Sequence, residues 1–215
     1  MTIKSLGFTS FKISFREVDF ITDPLRTEAA GLKIGSTTGD AVLITGDENL
    51  GKENILAEAG FKKISPSNRE NIFEINNPGD YELGGVLVRR FEGTNTYILA
   101  RKDLRLVYIG ARDNSIDVDQ FKKIEGDVDV LILPIGDGET LISYDKIEKI
   151  INYVDPTYLV PSAYKVDGLK APYDSLKSVD DFVKHFGYTH VKNEKSLKVV
   201  KGGGEEKAVE VIVLG

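Results

Sequence analysis

The chain has 215 residues, of which 41% are hydrophobic and 29% charged, with a formal net charge of −6 and no cysteine. Chains of this size usually form one domain and bury roughly 70% of their unfolded surface, so a single domain over residues 1–215 with a full core is expected. Without cysteine there are no disulfides and no thiolate metal sites, and an acidic balance argues against nucleic acid, whose phosphate backbone needs a basic face.

No stretch approaches the ~18 uninterrupted apolar residues of a membrane span. The opening residues, MTIKSLGFTSFKISF, carry no apolar core or cleavage signal. The expected address is the cytoplasm, with no membrane partner. Scattered lysines such as Lys62-Lys63 and Lys122-Lys123 read as solvated faces.

The first half reads mostly as strands, near Ile3 to Leu6, Ser10 to Phe15, Val18 to Ile21 and Asp40 to Thr45. The last is a compact apolar run of the kind buried on both faces. A short helix is expected near Lys52 to Ala59, stopped by Gly60. Strands follow near Ile72 to Ile75, Glu82 to Phe91 and Thr96 to Arg101, with Gly84-Gly85 marking a bulge or close backbone approach.

The second half alternates strand and helix. Leu106 to Ile109, Val128 to Leu133 and Tyr158 to Val160 read as strands. Asp117 and Gln120 resemble a capping box ahead of Val118, Phe121 and Ile124 at helical spacing. Ser143 is placed to cap a helix carrying Ile147, Ile150, Ile151 and Val154 on one face. Leu176, Val179, Phe182, Val183 and Phe186 mark another helix, stopped by Gly187. Strands near Leu197 to Val200 and Val209 to Leu214 flank Gly202-Gly203-Gly204 and read as a closing hairpin. Fold class is therefore α/β, with two sheets packed together and helices outside.

Four apolar strands run into small polar loops, Thr45–Asn49, Gly110–Asp113, Pro134–Gly138 and Pro161–Tyr164. Ligands of α/β sheets bind beyond the carboxyl ends of the strands, so a site would be lined by these loops.

Around these loops the sequence resembles the metallo-β-lactamase superfamily, in its zinc-dependent hydrolase branch with the ascorbate-6-phosphate lactonase relatives. Leu6-Gly7-Phe8-Thr9-Ser10-Phe11-Lys12-Ile13 is similar to an "LGHSSFLI" opening, and Thr22-Asp23-Pro24-Leu25 to an "IDPF" element. Asn77 to Val86 resembles "PGEYEIGGV", Asn95-Thr96-Tyr97-Ile98 resembles "NTIYI", and Asp129 to Gly136 resembles "DILMIPVG". Asp155-Pro156 through Val160-Pro161 resembles the "EPKIVIPMHY" strand. The resemblance covers nearly the whole chain and implies an αββα sandwich of two mixed sheets with helices outside.

The departures fall on the chemistry. Where the family has His-x-His-x-Asp-His, this chain reads Gly46-Asp47-Glu48-Asn49-Leu50-Gly51. The family's loop histidine has no counterpart, because only Glu92-Gly93-Thr94 separates Phe91 from Asn95. The aspartate of "HLGD" is replaced by Ala111, and the histidine of "PMHY" by Ala163. The positions of lost ligands are thus Gly46, Glu48, Ala111 and Ala163. A catalytic zinc takes three protein ligands and keeps one open position for water. The chain has only two histidines, His185 and His190, on and just past the last helix and away from the four loops.

The candidate crevice comprises Asp23, Asp47, Glu48, Arg112, Asp113, Asp137, Ser162 and Tyr164. We read Asp47, Glu48, Asp113 and Asp137 as solvated turn carboxylates; the alternative is an oxygen-lined site for Mg²⁺ or Mn²⁺. Asp23 is expected to order backbone N–H groups at the mouth of the sheet. Arg112 suits an exposed ion pair with Asp113 or an anionic ligand, and Tyr164 suits rim packing or a ligand oxygen. Ser162 has no histidine in reach, which leaves a serine triad without support.

The resulting expectation is a degenerate hydrolase homologue that keeps the fold and has lost its zinc ligands. Its role would be binding or structural, with no cofactor, and with a small molecule, a protein or a second copy of the chain as partner. The alternative is a metal-dependent phosphodiester or lactone hydrolase using an oxygen-ligated metal at the same loops.

Overall fold

A computed structural model describes residues 1–112, 114–138, 141–200 and 208–215, without the side chain of Asp47. The chain opens with β1 (Thr2–Gly7), β2 (Ser10–Ser14), β3 (Asp19–Thr22) and helix α1 (Pro24–Ala29). It continues through β4 (Thr37–Thr38), β5 (Ala41–Leu43), α2 (Ile55–Glu58), β6 (Ile64–Ser65) and β7 (Phe73–Ile75). Next come β8 (Gly79–Leu83), β9 (Val86–Arg90), β10 (Thr96–Arg101), β11 (Leu104–Ile109) and β12 (Val130–Pro134). The chain closes with α3 (Tyr144–Val154), β13 (Tyr158–Ser162), α4 (Val179–Phe186), β14 (Val191–Glu194), β15 (Leu197–Lys198) and β16 (Glu210–Leu214).

A six-stranded sheet has the order β15-β1-β2-β3-β5-β7, and an eight-stranded sheet the order β14-β16-β13-β12-β11-β10-β9-β8. Alternation along each strand decides what lies between them. On β12, Val130 and Ile132 join Ile13, Phe20 and Leu43 of the facing sheet, while Leu131 and Leu133 point outward. That outward face meets Ile147, Ile150 and Ile151 of α3 and Phe182 of α4. Ile55 and Leu56 of α2 cover Val42 and Ile44 on the outside of the other sheet. The layers are helix, sheet, sheet, helix, and β12 is apolar throughout because both its faces are buried.

Helix α4 begins as a reciprocal cap. The Asp181 N–H donates to Ser178 Oγ at 3.2 Å and the Ser178 N–H to Asp181 Oδ2 at 2.9 Å. It ends at Gly187, whose φ of 67° needs no Cβ.

Several expectations are corrected. The run Glu82–Phe91 is not one strand. Gly84 and Gly85, both at positive φ, make the turn of a hairpin between β8 and β9, because two successive left-handed residues reverse a chain with the twist of its strands. The expected closing hairpin does not form either. β15 pairs with β1 in one sheet and β16 with β13 and β14 in the other, while Gly202-Gly203-Gly204 lie outside the described residues. Residues 118–123 form a 3-10 helix, and Asp117 accepts from the Asp119 N–H at 3.1 Å without a reciprocal bond from Gln120. Ser143 makes no side-chain cap; its own N–H donates to Asn114 Oδ1 at 2.9 Å. Leu176 lies before α4, not on it.

Candidate functional site at the strand mouths

The carboxyl ends of the parallel neighbours β11, β12 and β13 open on one side of the sandwich, and the end of β5 meets them from the other sheet. The two sheets are in close contact there, since a Cβ on Gly110 would lie 2.3 Å from Thr45 Oγ1. Only glycine allows that approach.

Asp23 holds this junction together. Its Oδ1 accepts the Thr45 N–H at 2.7 Å, and its Oδ2 accepts from the Thr45 hydroxyl at 2.6 Å and the Tyr108 hydroxyl at 2.5 Å. The residue is 3% exposed and sits at φ 36°, just before Pro24 starts α1. Proline at the first helical position has no N–H of its own to satisfy, and the carboxylate makes no cap bond and is aimed into the mouth. Burial, with Asp23 beside it, pushes the Tyr108 phenol well above its ordinary range. Ser10 donates to the Asp23 carbonyl at 3.0 Å and shares a 2.7 Å hydrogen bond with Thr27 Oγ1, which fixes the start of the chain to the same point. Of the bonds to the Asp23 carboxylate one comes from a backbone N–H, that of Thr45; the Tyr108 and Thr45 hydroxyls were not foreseen.

Beside the clasp, two of the four positions where the resemblance places ligands, Ala111 and Ala163, are packed with hydrocarbon. Ala111 and Ala163 are 3% and 0% exposed and belong to a buried cluster with Phe8, Ala30, Leu141 and Leu176. Phe8 meets the ring of Tyr173 edge-on at 5.1 Å. Its carbonyl accepts the Ala163 N–H at 3.1 Å, so the plug is tied to β13 by backbone as well as side chain. Sequence reasoning missed Phe8 and Leu176. A signal for Phe8 existed, since it stands where the resembling motif "LGHSSFLI" has histidine; none existed for Leu176.

The remaining candidates are dispersed. Glu48 folds back over Gly46, where a Cβ would lie 2.3 Å from its Oε1, and pairs with Arg26 Nη2 at 3.2 Å. Burial works against the Arg26 charge, but Asp23, Tyr173 and Glu48 outweigh it and hold the pKa above the ordinary value. Asp137 pairs with Lys177 at 2.5 Å, and that ammonium lies 4.5 Å from the Tyr144 ring centroid. Arg112 Nη1 donates to Asn95 Oδ1 at 3.3 Å. Asp113 lies outside the described residues, as does the Asp47 side chain. Ser162 is buried at 1% exposure and its hydroxyl has no partner among the described residues. Tyr164 is half-buried, its phenol pKa raised by burial, and packs against the α3 and α4 layer. His185 touches Tyr144, ring centroids 4.6 Å apart, the same ring that Lys177 faces beside Asp137, and His190 is exposed past the helix end. Among the described residues, no three His, Asp or Glu side chains are grouped to share a metal ion.

Next to the plug lies an open cavity of about 240 Å³, bounded by Pro24, Leu25, Arg26, Ile44, Glu48 and Tyr173.

The layering and the position of this mouth define the metallo-β-lactamase class of αββα sandwiches. A family profile described as "Beta-lactamase superfamily domain" matches residues 2–163. The chain belongs to that family. Among solved structures it is similar to a metallo-β-lactamase superfamily protein of Thermotoga maritima, at 21% identity over 100% of both chains with a TM-score of 0.73. It is also similar to the metallo-β-lactamase fold protein YhfI of Bacillus subtilis, at 10% identity over 99% of this chain and 95% of that one, TM-score 0.57. An isothiocyanate hydrolase from Delia radicum gut bacteria matches at 12% identity over 87% and 93%, TM-score 0.57. No curated protein matches the sequence. Among the described residues no helix is long and apolar enough to cross a membrane.

Proposed function

We propose that this chain is a non-catalytic member of its family, in which the metal mouth has become closed apolar packing and the neighbouring crevice serves binding or assembly. The observation that carries this reading is the cluster of Phe8, Ala111, Leu141, Ala163 and Leu176, all buried. A divalent cation placed among hydrocarbon side chains loses its hydration and gains no donors, which is prohibitive in an apolar surrounding. Asp23, the buried carboxylate at the clasp, is already engaged through both oxygens, by Thr45 and Tyr108. The residues present at this mouth therefore do not fit a zinc ion, and no hydrolytic step is derived through one.

What the arrangement offers instead is a small crevice with apolar walls and one Arg26–Glu48 pair at its edge. At about 240 Å³ it is somewhat below the usual range for drug-sized ligands, ~300–1,000 Å³, and fits a small molecule or the tip of a partner loop. The test is calorimetric titration of the protein with Zn²⁺, Mn²⁺ and Mg²⁺, with each mixture assayed on a phosphodiester and a lactone. The expected result is no saturable metal binding and no turnover. Saturable Mg²⁺ or Mn²⁺ binding with metal-dependent turnover would establish an oxygen-ligated hydrolase instead.

A further inference from the structure

Three formally charged side chains are buried among the described residues: Asp23, Asp40 and Arg90, at 3%, 0% and 3% exposure. Two are saturated. Asp23 has its donors from Thr45 and Tyr108, and Asp40 accepts the Asp19 N–H at 2.8 Å, the Asn68 N–H at 2.5 Å and Asn68 Nδ2 at 3.0 Å. Arg90 is the exception. Its Nε and Nη1 are buried with no acceptor among the described residues, and no carboxylate there forms an ion pair with it.

The strand pattern makes this unusual. On β9, Val86 and Val88 point into the sandwich and Leu87 and Arg89 point out, so an apolar residue would be expected at the next inward position. That position holds a guanidinium. On one side its neighbour is the Tyr97 ring, 5.7 Å from the guanidinium carbon to the ring centroid. On the other, its cross-strand partner on β8 is Gly79, which has no side chain to cover it. The ring of Tyr81 stands over that glycine, 3.8 Å from where a Cβ would lie, and β8 is the edge strand of its sheet. A second orphan belongs to the same hairpin end: the Thr94 hydroxyl, in the loop between β9 and β10, is also buried and unpartnered among the described residues. A ring face attracts a cation but accepts none of its in-plane N–H bonds, and a buried guanidinium left without acceptors is strongly unfavourable.

We propose that Arg90 and Thr94 form the core of a binding site for a small oxyanion, a phosphate, sulfate or carboxylate group. Planar guanidinium donors match oxyanions of this kind. The site is separate from the apolar plug and does not depend on the reading of that plug.

The experiment follows thermal unfolding in phosphate, sulfate, acetate or chloride at matched ionic strength, for the natural protein and for Arg90→Met, which keeps the length and removes the charge. A saturable rise in melting temperature is expected with at least one oxyanion over chloride, and it should disappear in Arg90→Met and weaken in Thr94→Val. The oxyanion that acts tells phosphate or sulfate from carboxylate. No oxyanion-specific rise, or an equal rise in Arg90→Met, overturns the proposal. The Arg90 Nε–H resonance gives a readout independent of variant folding. It should shift on titration with the oxyanion that acts, and an unmoved signal counts against the site.

Discussion

At the scale of single residues, the mouth is decided by where hydrogen bonds end. Tyr108 donates toward both Asp23 Oδ2 at 2.5 Å and the Thr9 carbonyl at 3.1 Å, deep in the core. Tyr108→Phe leaves those acceptors short, and a bond to a charged group contributes ~1.5–3 kcal/mol, so a loss of that order is expected in urea unfolding. Ser162→Ala is the contrast. Its hydroxyl is buried without a partner among the described residues, so removal should change stability by less than about 1 kcal/mol, in either direction. Asp40 makes a prediction for pH. Burial opposes its charge, but donors from Asn68 and Asp19 outweigh it and lower the pKa from the model-peptide value of 3.8. A depressed carboxylate stabilises the fold above its unfolded pKa and loses that contribution as pH falls through the folded one. Unfolding midpoints should therefore drop below about pH 4 more steeply in the natural protein than in Asp40→Asn, whose midpoint should start lower and stay flatter.

At the scale of elements, the plug depends on the loop between β1 and β2 reaching across to β13. Phe8→Ala would open a cavity among Ala111, Ala163 and Leu176, and aromatic-to-alanine changes in cores cost ~3–5 kcal/mol. Ala163→His tests the same packing from the other side. Ala163 is fully buried, so restoring a family-type ligand there alone should overpack the cluster and destabilise the protein by ~1–3 kcal/mol, with no gain in metal affinity. Much at this scale was legible beforehand. The runs Val128–Leu133 and Tyr158–Val160 read as strands because they are apolar apart from Asp129, and the strands form over Val130–Pro134 and Tyr158–Ser162; α4 announced itself by Phe182 and Phe186 on one face and by the Gly187 stop. What stayed hidden is what periodicity does not encode. β14, Val-Lys-Asn-Glu, has no apolar alternation and is held by its backbone pairing with β16. β15 and β16 are neighbours in sequence, but their partners are chosen by sheets built from distant segments. Helix α1, six residues long, is too short for a period to show, although Asp23-Pro24 marked its start.

At the scale of the whole molecule, the chain has its family's sandwich, and under the proposed reading the chemistry at its mouth is exchanged for packing. The departures from the resembling motif were readable from residue types alone at Gly46, Ala111 and Ala163, which carry no side-chain donor; Glu48 does carry one, and it pairs with Arg26. That Ala111 and Ala163 gather with Phe8 and Leu176 into one buried cluster was not readable, since those residues meet only through the packing of two sheets. The Asp23 clasp joins the two sheets at that mouth through Thr45 and Tyr108. The most direct measurement is metal stoichiometry, by elemental mass spectrometry, of protein expressed with added zinc, manganese and iron and purified without chelator. The account predicts metal far below one ion per chain, whichever metal was supplied. One or more tightly held ions per chain, lost when Asp23 or Glu48 is replaced, would contradict it.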